Sequence, residues 1–361
     1  MICPHCNQNL LYKERSGKKC SKCKHEFAFE PKTDSLGLHD ARFRKVIGKI
    51  GADGKVYFTS GQLQHFLSRK KIKNSVNTIL GWLVFASVAS IVITVIIAIS
   101  TGTIALFGLA FLIAVVFVTL LITFRQVEGD LNLTQSNFVF ESDVIGRWRS
   151  IYKQLPANLL NKQLLSQNPQ NLDKVRAVLV CPELEVRVCL LGNQTSKDLG
   201  LLLFDPYQSP GKSTKEMEFI QQRRDLPIFV LHDASIEGCL LKEEFVRKHL
   251  GNDRSRKVYD IGLRPQTAIK AKLMRLRAKP SKVSADSIKE IKGLAPEEIA
   301  WLENGNYTPL LALTPTHLIK YVTRAVNKGF QISAKTAVKS TQKNDQSAAQ
   351  AVGFMTWLNN G

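Results

Sequence analysis

The stretch VNTILGWLVFASVASIVITVIIAISTGTIALFGLAFLIAVVFVTLLITF, Val76–Phe124, contains no Asp, Glu, Lys, Arg or His. Two apolar runs, Val76–Ile99 and Ile104–Phe124, are separated only by Ser100, Thr101, Gly102 and Thr103. A bilayer core of about 30 Å takes roughly 20 apolar residues of helix, and each run reaches that length. Backbone groups in lipid must be paired within their own segment, so the stretch reads as a two-helix transmembrane hairpin rather than as two buried helices of a core. A cleaved signal peptide does not fit, because 75 residues precede the run.

The flanks set the expected orientation. Arg69, Lys70, Lys71 and Lys73 stand before the first run and Arg125 stands after the second. Lys and Arg concentrate on the cytoplasmic side, which predicts an inner-membrane protein with both termini cytoplasmic. The lipid bilayer is then the first partner, and the hairpin could also join copies into a homo-oligomer. Trp82 fits an interfacial aromatic. Neither run carries an ionisable residue, which argues against a proton relay or ion pathway.

Charge points to anionic partners. The chain of 361 residues is 44% apolar, in the globular range, and carries a formal net charge of +20. Residues 1–75 hold 16 Lys and Arg against 6 Asp and Glu, a net +10; the remainder holds 34 against 24, another +10. Such an excess concerns partners, nucleic acid or an anionic membrane surface, and not fold. Juxtamembrane basic residues are each attracted to anionic lipid by about 1 kcal/mol.

At the N-terminus, Cys3-Pro-His-Cys6 is followed by Cys20-Ser-Lys-Cys23, with 13 residues between the pairs. Each CxxC forms a tight knuckle presenting two thiolates, and four thiolates complete a tetrahedral zinc shell. Two disulfides are the alternative, disfavoured where thiols are kept reduced. The pattern resembles a zinc ribbon, with Cys3, Cys6, Cys20 and Cys23 as ligands of a structural zinc. His5 and His25 lie beside the knuckles and read as surface residues. Ribbons of this spacing bind nucleic acid, bind protein, or only hold a small fold together.

Residues 31–75 form a polar module. Leu38, Phe43, Val46, Ile47 and Ile50 mark one helical face. A turn at Gly51–Gly54, a strand at Lys55–Phe58 and a helix Gln62–Lys73 follow, which suits a winged-helix-like unit or a helical linker. Beyond the hairpin, Gly129–Ser142 is strand-like and Val144–Leu165 helical. Arg176–Cys181, Leu199–Phe204 and Pro227–Leu231 then read as strands alternating with helices Glu183–Leu191, Ser213–Gln222 and Glu237–Leu250. That alternation implies a parallel sheet, with functional groups beyond the carboxyl ends of its strands. Glu183, Asn193 and Asp233 fall near such ends.

LPIFVLHDASIEGCLL (226–241) and VYDIGLRPQ (258–266) resemble the Toprim domain of the topoisomerase VI A subunit family. RAVLVCPELEV (176–186) is similar to that family's strand ending in a metal-binding Glu, and FTSGQLQHFL (58–67) to its winged-helix segment. The resemblance implies a Mg²⁺ site at Glu183 and Asp233. It departs from the family at Ser235, where a second Asp would stand, and at Gln64 and His65, where the nucleophilic Tyr would be. Mg²⁺ requires a near-octahedral oxygen shell, so this is a degenerate site. As an alternative to metal binding, Asp233 can cap a helix through the amides of Ser235 and Ile236.

Arg254–Lys282 carries ten basic residues against one acid, Asp260. The segment 268–278 reads as a basic amphipathic helix. Arg254, Arg256, Lys257, Lys270, Lys272, Arg275, Arg277 and Lys279 are the candidates for contacting nucleic acid or anionic lipid. Cys181, Cys189 and Cys239 sit in apolar surroundings and read as core thiols. Residues 331–361 are expected to be a polar tail with a short terminal helix.

The expected architecture is therefore multi-domain: zinc ribbon 1–30, small module 31–75, transmembrane hairpin 76–124, cytoplasmic α/β domain with a Toprim-like parallel sheet 125–330, and tail 331–361. The expected function is that of an anchored scaffold binding nucleic acid or a protein partner, with no catalytic residue. The alternatives are a Mg²⁺-dependent nuclease or phosphotransfer enzyme using Glu183 and Asp233, and a membrane assembly component of a stress or defence system.

Overall fold

β1 (Ala177–Val180), β2 (Leu201–Phe204), β3 (Ile228–Val230) and β4 (Val258–Asp260) pair in parallel in the order β2-β1-β3-β4. The structure is a computed structural model that describes residues 1–101, 117, 137–167, 171–207, 214–251, 253, 255–277, 288, 291 and 293–332. Register is tight: Val178 sits between Leu202 and Ile228, and Val230 opposite Asp260.

β1 explains why its run is apolar without alternation. Ala177 and Leu179 enter one core with Phe229, Leu190, Leu318, Val322 and Val326; Val178 and Val180 enter another with Ile228, Ile220, Leu241 and Phe245. Both faces are covered, as parallel sheets require. Helix Leu184–Gly192 and the helix over 315–332 cover the first face, while Thr214–Gln222 and Ile236–His249 cover the second. Gly329 packs so closely on Phe229 that a Cβ there would lie 2.2 Å from the ring.

The N-terminal arm builds a further core. Helix α1 (Asp40–Ile50) turns Phe43, Val46, Ile47 and Ile50 inward, as its periodicity dictates. They meet Phe29, Phe58, Leu63 and Leu67, and also Phe140, Val144, Ile145 and Trp148 from residues that follow 137. Those later residues form Asn137–Phe140, a π-helical stretch Glu141–Gly146 and Arg147–Tyr152. The expected strand at 129–142 is thus helical from 137, and the residues before it lie outside the described ones. Of the expected strand at 55–58, Phe58 pairs in a single bridge with Leu159.

Helix α2 (Ser60–Thr101) runs without interruption through the expected Gln62–Lys73 helix and the first apolar run. Its opening turns, from Ser60 to Ser68, are buried in the protein except for half-buried Phe66. The run 76–99 is therefore the continuation of a helix rooted in the fold and not an element of its own. Among the described residues no helix is long and apolar enough to cross a membrane. The structure accordingly does not support the transmembrane hairpin expected over 76–124, and the integral inner-membrane placement that rested on it falls too. The second run, except Phe117, lies outside the described residues, as does the tail from 333.

A small antiparallel pair, β5 (Leu276–Arg277) with β6 (Asn306–Tyr307), replaces the expected amphipathic helix over 268–278. The helix there, Pro265–Lys270, ends in a turn with Lys272 at φ 47°, and Leu276 is drawn to Tyr307.

Candidate functional site

The four ribbon cysteines converge. Their sulfurs all lie within 4.8 Å of one another, with Cys3 and Cys23 3.7 Å apart and Cys6 and Cys20 3.8 Å apart. Each knuckle is built alike. The Cys3 amide donates to Gln8 and the Cys20 amide to His25, at 2.9 and 3.0 Å. The residue after each second cysteine, Asn7 or Lys24, takes φ near +60°. That left-handed turn lets the backbone curl around the sulfur pair. The amides of Cys23 and Lys22 donate to Cys20 and hold its thiol down at about 6. The donor set is four soft thiolates at tetrahedral reach, which fits a metal ion such as zinc.

The ribbon is fastened by buried charge. Arg15 pairs with Glu30 at 2.8 Å, their side chains only 8% and 5% exposed, and also donates to Leu10 carbonyl. Asp40, at the first turn of α1, accepts the amides of Ala28 and Phe29, each at 2.9 Å, and the Tyr152 hydroxyl.

A second place of interest lies beyond the strands. β1 neighbours both β2 and β3, so the strand order, laid down one way from β1 to β2 and the other way from β3 to β4, reverses between β1 and β3, where α/β sheets hold their ligands. A cavity of about 160 Å³ there is lined by Pro182 and Glu183 after β1, Tyr207 after β2, and His232, Asp233, Ser235 and Glu237 after β3. Glu183 and Asp233 thus share one cleft. Burial, with the charges of Glu185 and Asp233, raises the Glu183 pKa; burial also raises that of Asp233. Among the described residues, however, the four cysteines are the only group of three or more His, Cys, Asp or Glu whose ligand atoms converge. Two carboxylates would leave a Mg²⁺ ion most of its water and hold it weakly without a phosphate ligand.

Asp233 has local work instead. It accepts the Ser235 hydroxyl at 2.6 Å and the Ser235 amide at 3.2 Å. Ser235, not Asp233, caps helix Ile236–His249, accepting the Gly238 amide at 2.9 Å. Asn193 does not enter the cleft: its side chain accepts the Tyr57 amide and donates to the Tyr57 carbonyl, at 2.8 and 2.9 Å. His65 is buried and donates Nδ1 to Gly61 carbonyl at 2.8 Å. Burial lowers its pKa.

Two arrangements had no role in the sequence reading. His232 is buried against Gly262, where a Cβ would come within 2.0 Å of its ring. Its Nδ1 donates to Asp233 carbonyl at 2.6 Å and its Nε2 to Asp260 at 3.0 Å. Burial opposes the imidazolium, but the Asp260 bond and charge outweigh it and leave the His232 pKa raised and that of Asp260 lowered. The second is a buried joint. Glu185 accepts the Gly61 amide at 2.6 Å and pairs with Lys162 at 3.0 Å, and Lys162 also meets Glu141 at 2.6 Å. Ser60 donates to Glu141. A lone Glu and Arg inside the apolar helix LEVRVCLL were the visible signal: Arg187 likewise pairs with Asp205 at 2.7 Å.

Of the basic candidates, Lys257, Lys270, Lys272 and Arg277 are exposed and Arg275 half-buried. Arg256 is buried and donates to Ile220 carbonyl at 2.7 Å, so it stabilises the fold. Arg254 and Lys279 lie outside the described residues. No protein-family model matches the chain, and no curated protein matches it.

Proposed function

We propose that the protein binds nucleic acid through a basic surface, with a zinc ribbon as a second binding element and a degenerate Toprim-like α/β unit as scaffold. The observation that carries this reading is the contact of Arg69, exposed on α2, with Lys272 carbonyl at 3.4 Å. It ties a cation of the N-terminal arm to the backbone of the stretch that carries the exposed Lys270, Lys272 and Arg277. Clustered Lys and Arg neutralise phosphates and release counterions. Zinc is the ion that suits four cysteine thiolates in a structural site. The strand-end position of Glu183 and Asp233 supports the Toprim likeness, and the Ser235 substitution supports binding without cleavage.

The test is binding of labelled duplex and single strands by the full chain across a salt series. Affinity is expected to fall steeply with salt, and Lys270→Glu with Lys272→Glu to reduce the logarithmic slope by about 1 for each phosphate no longer neutralised. Binding that is absent or indifferent to salt would sink the proposal. Mg²⁺- or Mn²⁺-dependent cleavage abolished by Asp233→Ala would instead make the enzyme reading correct.

A further inference from the structure

The ribbon carries rings as well as thiols. His25 stacks on His5 with centroids 4.5 Å apart and planes 19° apart, and His5 lies over Tyr152 at 6.0 Å and 13°. The Arg44 guanidinium sits over the Tyr152 ring at 4.9 Å. Both histidines and Arg44 are exposed. The ladder is fixed from behind, because Tyr152 packs on buried Trp148 at 4.2 Å and donates its hydroxyl to Asp40. His25 is oriented by its own Nδ1, which donates to Cys23 carbonyl at 3.1 Å. Lys22 and Lys24, on the same knuckle as His25, are exposed.

A rigid row of near-parallel rings with cations at its edge is the arrangement on which bases stack while their phosphates are neutralised. Paired bases are already stacked on both faces; an unpaired one can be splayed onto a ring. We propose that the His25–His5–Tyr152 ladder is a stacking platform for an unpaired base of single-stranded nucleic acid, with Lys22, Lys24 and Arg44 holding the adjoining phosphates. This rests on the nucleic-acid reading above and adds to it a preference for strands over duplex.

The experiment compares His25→Ala and His25→Phe in the full chain, on a single-stranded oligonucleotide carrying 2-aminopurine and on its labelled duplex. The alanine variant is expected to lose roughly 10-fold in single-strand affinity, together with the quenching of 2-aminopurine. The phenylalanine variant, which keeps a ring, should retain both, and duplex binding should stay unchanged in either. Equal losses on strand and duplex, or a phenylalanine variant as weak as the alanine one, would overturn the platform. If the unmodified chain binds neither substrate, the nucleic-acid reading itself fails. If it binds both and only Lys270→Glu with Lys272→Glu weakens it, that reading stands and the platform alone falls.

Discussion

His232 shows what a single residue contributes to this fold. Both ring nitrogens face acceptors, Asp233 carbonyl and Asp260 carboxylate, so the bonded form is the imidazolium. Its folded pKa is raised above the unfolded one, so its stabilisation is complete below about 6.5 and is lost as pH rises through the folded value. Asp260 is depressed, so its contribution is present above the unfolded carboxylate range, about 3.9, and is lost as pH falls through its folded value. Stability should therefore decline as pH rises above about 6.5, and His232→Gln should flatten that decline; denaturation midpoints followed across that rise check it, and parallel curves would refute it. The buried thiols give a second residue-scale expectation. Burial pushes Cys181, Cys189 and Cys239 up to about 12. A thiol reagent should reach the four ribbon cysteines only after chelation and the other three only on unfolding. The convergence of Cys3, Cys6, Cys20 and Cys23 was legible from their spacing. The role of His232 was not, because Asp260 lies 28 residues further along.

Elements follow the same division between local and distant causes. β1, β2 and β3 were readable because burial on both faces leaves continuous apolar runs, as in Ala177–Val180; β4, only partly buried, carries no such run. Leu276 reads as part of a helix, but its partner, Tyr307, comes from another part of the chain and makes it a strand. The start of α2 is likewise set from afar. A Cβ on Gly61 would lie 2.4 Å from Glu185 Oε2 and 2.9 Å from Leu311 Cδ1. Gly61→Ala gains about 1 kcal/mol of helix propensity, but overpacking costs about 1–3 kcal/mol and Lys162 pins the carboxylate. A net loss of thermal stability is expected, and a stabilised variant would contradict the packing described. Glu185→Ala removes the acceptor of a buried amide, at about 1–3 kcal/mol; an unchanged melting temperature would show that the joint contributes nothing.

Across the whole molecule, the core under α1 is shared by residues 28–67 and 140–148. Stripping the metal should therefore loosen the knuckles, whose own packed set is Cys3, Leu10 and Cys20 with Cys6 and Cys23, and leave this core and the sheet protected. Amide exchange before and after chelation reads the difference, and loss of protection in β1–β4 would refute it.

The joint at Tyr57–Gly61 has a consequence in time. Its partners Asn193 and Glu185 follow it by 136 and 124 residues. At synthesis rates of about 5–20 residues per second, the start of α2 emerges on the order of ten seconds before the groups that complete it. During that interval a nascent chain can close its knuckles around an ion, but Gly61 has no carboxylate to accept its amide. The order of assembly is thus written into the spacing: the ribbon first, and the joint only once Asn193 has emerged.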